Sequence, residues 1–402
     1  MNQFGRLYYY EMKKLLKRKI VWIALLIGII AVMITILGEL IGYYYIDNKK
    51  IDTKYHMYLT DRDYQKKLEG RAIDQSLLEE MTKAYRKIPI TAEHYSVTEE
   101  YQTYARPYSV IFSFVQDTTQ MTRLELTRWI PELKDLYTKR QAMLEEHWQS
   151  EFLSDGEVEF WRQKEAKLKW PFVYQITESY EILLSAITTV GLLVLLIVSV
   201  CLSSLFMEEH TRKTDQLILC SKFGKNIAYW AKFFAGISFA TGTALLLLTF
   251  AVLLAFGAYG IGDFNAMIQL VFAQYSYSLT AGQMVLILYG CVLATTMVYS
   301  ALIMLLSEMC HNSIATLAIT SGMLIFSMIG SVPFQYRVLS QIWNWLPSGF
   351  LAPWNIFDVR LLLIFGHYFT AWQAVPAIDV IASFLLAFIG KPIYQQFQIS
   401  GR

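Results

Sequence analysis

Residues Glu181 to Phe206 read EILLSAITTVGLLVLLIVSVCLSSLF, with no charged side chain after the glutamate that opens the run. A helix rising about 1.5 Å per residue needs about 20 mostly apolar residues to cross roughly 30 Å of hydrocarbon, with every backbone polar group bonded inside the segment. This stretch meets that requirement without interruption. Working outward, five others do so: Ile20 to Gly42, Phe233 to Tyr259, Gln283 to Leu306, Ser313 to Val332 and Trp372 to Gly390. A seventh apolar run, Phe350 to Gly366, carries Pro353, Asp358 and Arg360 near its middle, which predicts a short interfacial or re-entrant helix.

Composition agrees with lipid as the solvent. Apolar residues make up 55% of the 402 and charged residues only 17%, with a positive mean hydropathy of +0.34, against about 25% charged in a soluble domain. The net charge of +2 is too small to suggest a nucleic-acid partner. A basic segment precedes the first apolar run, but the run is too long for a signal-peptide core and no A-x-A site follows it, so it is expected to remain in the mature protein. Cys201, Cys220, Cys291 and Cys310 all lie in or beside the apolar runs, which argues against a disulfide framework.

The basic residues orient the chain. Outside the polar insertion between the first and second runs, Arg6, Lys13, Lys14, Lys17, Arg18 and Lys19 precede the first run, and Arg212, Lys213, Lys222, Lys225 and Lys232 lie between the second and third, whereas the opposite connections hold only Arg337 and Arg360. Cytoplasmic loops carry the excess of Lys and Arg, so both termini and the 212–232 loop are expected in the cytoplasm of a cell membrane. The polar insertion from Asp47 to Thr177 then faces outward. It holds 20 Lys and Arg against 22 Asp and Glu, and long translocated domains largely escape the charge rule. Within it, Leu126, Trp129, Ile130, Leu133, Leu136, Tyr137, Met143, Leu144 and Trp148 recur near helical spacing. Ser154 to Glu157 forms a capping-box sequence before a helix expected over Val158 to Lys169, and Ile73, Leu77, Leu78, Met81 and Tyr85 mark another. These apolar stripes serve either as the domain's own core or as a surface for a ligand.

The expected fold class is therefore an all-α polytopic membrane protein: six transmembrane helices with a large helical extracytoplasmic insertion between the first and second. Residues 1–46 hold an N-terminal elbow and the first transmembrane helix, 47–177 the extracytoplasmic helical domain, and 178–402 transmembrane helices two to six, with a cytoplasmic amphipathic helix near 207–225.

Catalytic patterns are missing. No GxxxxGK[ST] phosphate loop occurs: Gly224-Lys225 is followed by Asn226 and Gly390-Lys391 by Pro392, neither of which offers a hydroxyl for magnesium. The six histidines have no metal-ligand spacing, and there is no GxSxG elbow. No cofactor or metal is expected on this chain. Charge in hydrocarbon is costly and usually marks function or an interface. Glu39 and Asp379 fall towards the outer ends of their runs. They belong either to a translocation route that could bind a cation or to the hydrated interface.

Between the second and third runs, Glu208-Glu209 opens an amphipathic stretch through Leu217 and Leu219 that closes on Gly224-Lys225, the layout of a short cytoplasmic helix along the membrane. This segment resembles the ABC-2 type permease family on Glu209, Thr214, Leu217, Leu219, Ser221, Gly224, Lys225 and Lys232, and departs from it at Lys222, where many relatives have proline. The run Tyr10-Glu11-Met-Lys13-Lys14-Leu-Leu-Lys17-Arg18-Lys19 is similar to that family's opening elbow. The resemblance covers the membrane part and leaves the insertion largely uncovered. It implies an exporter in which this chain pairs with a second permease copy or paralogue, while two separate ABC ATPase subunits hold ATP and Mg. Glu209, Thr214, Asp215, Leu217 and Lys225 would form the coupling helix or its anchors. A peptide, lipid-like molecule, drug or ion is the implied cargo, an antimicrobial peptide included. The alternatives are a non-transporting sensor or scaffold whose outer domain binds an envelope ligand, and an intramembrane enzyme, for which no catalytic constellation is present.

Overall fold

A computed structural model describes residues 3–46, 49–90, 94–129, 131–211 and 223–396. The chain is mainly helical, and among the described residues five helices are long and apolar enough to cross a membrane: Lys19–Leu40, Glu178–Glu209, Ile227–Tyr259, Ala281–Cys310 and Ala371–Gln395. That is the architecture of a multi-pass membrane protein. Where a further run was expected over Ser313 to Val332, the helix Ser313–Ile329 has 17 residues and ends at an extended Gly330. It rises about 25 Å, short of the roughly 30 Å hydrocarbon thickness.

Two further features differ from a purely helical expectation. Tyr43–Ile46 pairs antiparallel with Lys49–Thr53, and Leu362–Ile364 with His367–Phe369. The run Phe350 to Gly366 is not one helix. It comprises the end of the turn Pro347–Phe350, the turn Pro353–Ile356 and the first strand of the second hairpin. Pro353 opens its turn, where the missing N–H costs nothing. Beyond it Arg360 folds back onto Asp358, donating from Nη2 at 2.6 Å and from Nε to both oxygens at 3.0 Å, while Nη1 reaches Ser340 Oγ at 2.9 Å. Both charges are buried, and this closed ion pair satisfies them locally.

The chain divides into two compact units, one comprising Met1–Thr35, Leu184–Leu254 and Ile287–Arg402, the other Ile36–Leu183 and Ala255–Leu286. In the first unit the amphipathic helix Gln3–Leu16 buries Leu15 and stops before Lys19–Leu37 begins. The Trp22 indole donates to the Leu16 carbonyl at 2.8 Å and bridges that break. In the same unit Ser199 and Tyr299 share a hydroxyl hydrogen bond of 2.8 Å, Ser307 donates to the Ser203 carbonyl at 2.8 Å, and Tyr229 to the Ala387 carbonyl at 2.6 Å. Side-chain hydrogen bonds of this kind join helices where the surroundings are too apolar to drive association by themselves.

The second unit has a hydrophobic core of its own, in which Leu77, Leu78, Met81 and Tyr85 of the helix Gln75–Tyr85 pack with Ile111, Phe112 and Val115 of Ser109–Thr119. Tyr85 stacks on Phe112 at 3.8 Å between centroids. Burial pushes the Tyr85 phenol up. The apolar stripe from Leu126 to Trp148 is shared by two helices, Arg123–Arg128 and Leu133–Ser150, separated at Pro131, with Leu126, Leu136, Met143, Leu144 and Trp148 buried. Pro131 has no N–H to carry a helical ladder onward. These faces make the unit's core, one of the two roles open to them.

The helix expected over Val158 to Lys169 runs from Asp155 to Glu165. Glu157 accepts from the Ser154 amide at 2.9 Å and from its hydroxyl at 2.7 Å. Ser154→Ala is expected to cost about 1 kcal/mol, read as a small fall in the unfolding midpoint of the purified chain with its helical signal unchanged.

Ala255–Leu286 belongs to this unit together with the insertion. Arg140, fully buried, holds Glu165 at 2.7 Å through Nε and 3.3 Å through Nη2, donates from Nη2 to the Tyr275 carbonyl at 3.1 Å, and also donates to the Ala273 carbonyl. Trp161 meets Tyr277 edge-on at 4.9 Å.

Candidate functional site

Glu209 stands at a charged node of the first unit. It accepts Lys14 Nζ on Oε1 at 3.0 Å and Lys232 Nζ on Oε2 at 2.6 Å. The amphipathic helix Gln3–Leu16, the short helix Met207–Thr211 and the beginning of Ile227–Tyr259 are thereby tied through one carboxylate. Lys232 is 2% exposed and Glu209 8%, so removing either partner strands a buried charge. The Lys232 ammonium also lies 5.2 Å from the centre of the Phe206 ring. Partial burial pulls the Lys14 ammonium down, but hydrogen bonds and charge from Glu11 and Glu209 outweigh it and hold its pKa above the usual lysine value. Four residues along, Arg18 donates to the Cys201 carbonyl at 3.2 Å and to Ser204 Oγ at 2.9 Å, and pairs with Glu208.

Of the other residues expected on the coupling segment, Thr214, Asp215 and Leu217 lie outside the described residues. Lys225 occupies the turn before Ile227–Tyr259. Its side chain is exposed, and its carbonyl accepts from Gln395 Nε2 at 3.0 Å. In the sequence Lys14, Lys232 and Arg18 are charges that orient the chain and positions of the resemblance, with no pairing to Glu209 or Glu208 foreseen. Lys14 and Lys232 share Glu209 because the amphipathic helix meets Met207–Thr211, a long-range contact that no local spacing reveals.

Glu39 and Asp379 fall in different compact units, so neither unit by itself gathers them into a single ion site. Asp379 is buried in the helix Ala371–Gln396, three residues after Pro376, and accepts from Thr295 Oγ1 at 3.2 Å. Glu39 lies on a single turn, Gly38–Leu40, and lines a cavity of about 390 Å³ within the second unit.

The same cavity is lined by Glu178, first residue of the helix Glu178–Leu202, by Tyr259, last of Ile227–Tyr259, and by Tyr44, Tyr58 and Tyr101. Tyr259 is held by donating to the Ile36 carbonyl at 2.9 Å and meets Tyr58 edge-on at 5.4 Å. Arg106 lines the cavity with its guanidinium occupied on every side: Asp61 at 2.6 Å, Gln102 Oε1 at 2.8 Å and the Met57 carbonyl at 3.1 Å. Burial raises the Tyr101 phenol to about 12. Glu178 was missed by sequence reasoning because it precedes the uninterrupted apolar run. Its position one turn before Glu181, at the mouth of a span, was the available signal.

Among the described residues no three His, Cys, Asp or Glu side chains are gathered closely enough to hold a metal ion. No protein-family model matches the chain, and neither a curated protein nor a solved structure matches it.

Proposed function

We propose that the chain is the transmembrane permease subunit of an ATP-driven exporter of the ABC-2 type, working with a second permease copy or paralogue and with separate ATPase subunits that carry ATP and Mg. One observation carries the reading. The carboxylate that the resemblance assigns to the start of the coupling helix, Glu209, is clamped between Lys14 of the amphipathic first helix and Lys232 at the base of the third long helix. A push delivered to the 207–225 segment by nucleotide-driven closure of a partner would be passed to two other elements through this node. The spans would then shift between inward- and outward-accessible packings by differential affinity for the two states.

In this reading Ser313–Ile329 is the fifth of six crossings, its short length met by local thinning of the bilayer. The excess of Lys and Arg puts both termini and the 212–232 loop in the cytoplasm of a cell membrane and the 47–177 insertion outside. The cavity beside Glu39 suits a non-transporting sensor as well. Partnership with an ATPase separates the two.

The deciding experiment is purification of the full chain from its own membranes with a search for a bound chain containing GxxxxGK[ST]. Such a partner, with ATP hydrolysis in the complex that falls in the Glu209→Gln or Leu217→Ala variant, is the expected result. Absence of any such partner, or hydrolysis indifferent to both substitutions, overturns the assignment. Orientation is tested with Lys225→Cys in a Cys220→Ser background. The exposed thiol at 225 should resist an impermeant maleimide in intact cells and react after permeabilisation.

A further inference from the structure

We propose that the cavity bounded by Glu39 and Glu178 in the second unit is a binding site for an organic cation: an alkylammonium or guanidinium group, free or borne by a peptide side chain. The charges of its lining decide the sign. Arg106 is neutralised by Asp61 at 2.6 Å and bound on its other edges. Glu39 and Glu178 have no hydrogen-bond or ion-pair partner among the described residues, and Oε2 of Glu178 is buried with no donor. Lys54 is the other basic residue of the lining, and it is exposed. Two carboxylates therefore remain against one lysine of the lining, while Arg62, which donates to the Tyr58 hydroxyl at 3.3 Å, acts on Glu178 only through space. An unpaired carboxylate oxygen taken out of water is costly unless a positive donor meets it.

The walls decide the kind of cation. Tyr44, Tyr58, Tyr101 and Tyr259 line the same space, and aromatic faces attract ammonium and guanidinium groups within about 6 Å, most strongly when desolvated. A metal ion wants converging oxygen, nitrogen or sulfur ligands instead, and no three His, Cys, Asp or Glu side chains converge among the described residues. The volume, about 390 Å³, lies within the roughly 300–1,000 Å³ of small-molecule sites. Its lining includes the turn after the first long helix, the first residue of the second and the last of the third. Calling the cation a cargo rests on the exporter reading above, whereas binding at the cavity does not.

The test is equilibrium binding of radiolabelled spermidine to the purified full chain. Binding should be saturable and displaced by arginine methyl ester and tetraethylammonium, but not by fully acetylated spermidine. Glu39→Gln and Glu178→Gln should each weaken it about ten-fold or more, the effect of losing one charge-assisted contact. Glu39 is exposed and unpaired, so its substitution leaves folding intact and keeps the test sound if Glu178→Gln alters stability. No saturable binding, binding unchanged in both variants, or displacement by sodium or calcium at concentrations equal to those of the organic cations overturns the proposal. A partner ATPase without spermidine binding would sink this inference and leave the exporter reading standing; spermidine binding without any ATPase partner would do the reverse, keeping the site as that of a receptor.

Discussion

Arg140→Leu will destabilise the second unit by about 3–5 kcal/mol, the usual cost of leaving one member of a buried ion pair alone. Arg140 is fully buried, Glu165 is 3% exposed, and the same guanidinium satisfies the Ala273 and Tyr275 carbonyls. Leucine restores none of these bonds. The measurement is unfolding of the detergent-solubilised chain, followed by tryptophan fluorescence. Trp161 is a natural reporter, because it packs on Tyr277 of the segment that Arg140 holds. Arg140→Leu combined with Glu165→Leu should recover much of the loss, since an apolar pair of similar volume is often no worse than the ion pair it replaces. The carbonyls of 273 and 275 stay without their donor, so recovery is incomplete. A loss below about 1 kcal/mol in the single variant would mean that the pair behaves as an exposed one, and that something else holds the 270–277 segment to the helix Leu133–Ser150.

What the sequence disclosed follows from the range of the forces involved. Long apolar runs are a local property, and the starts of Lys19–Leu37 and Glu178–Leu202 fall within a few residues of the expected boundaries. The stripe Leu77, Leu78, Met81 and Tyr85 and the Ser154–Glu157 box were legible for the same reason, since helix periodicity and capping are decided within a turn or two. The second unit's outline was not. Ala255–Leu286 joins it through Arg140, whose partners are Glu165 and two carbonyls more than 130 positions further along the chain. Carbonyl acceptors leave no mark in side-chain chemistry. The hairpin Leu362–Phe369 was hidden by its apolar composition, which fits a strand and an interfacial helix alike; Asp358 and Arg360, read as interruptions, instead bond each other. At the cavity, Glu39 stood out as a charge in an apolar run, whereas the four tyrosines that share its space come from four separate stretches of chain and carry no common pattern.

Glu209→Ala is expected to have the second large effect, and its value lies in separating support from signalling. The substitution leaves the Lys232 ammonium, 2% exposed, without the carboxylate 2.6 Å away, at a cost of about 3–5 kcal/mol. Lys14 keeps Glu11 at 2.7 Å and is the less affected partner. Glu209→Gln retains an acceptor for one lysine and should fall between wild type and alanine. Instability by itself would say only that the node is structural, so the informative chain is the double variant Glu209→Leu, Lys232→Leu, which removes both buried charges together. Its thermal stability should return towards wild type. If the node also relays motion from the 207–225 segment, the double variant will still bind an ATPase partner, but substrate will no longer alter its rate of ATP hydrolysis. Stable protein with fully coupled hydrolysis would reduce Glu209, Lys14 and Lys232 to a fastening between three helices, and the exporter reading would lose the observation that carries it.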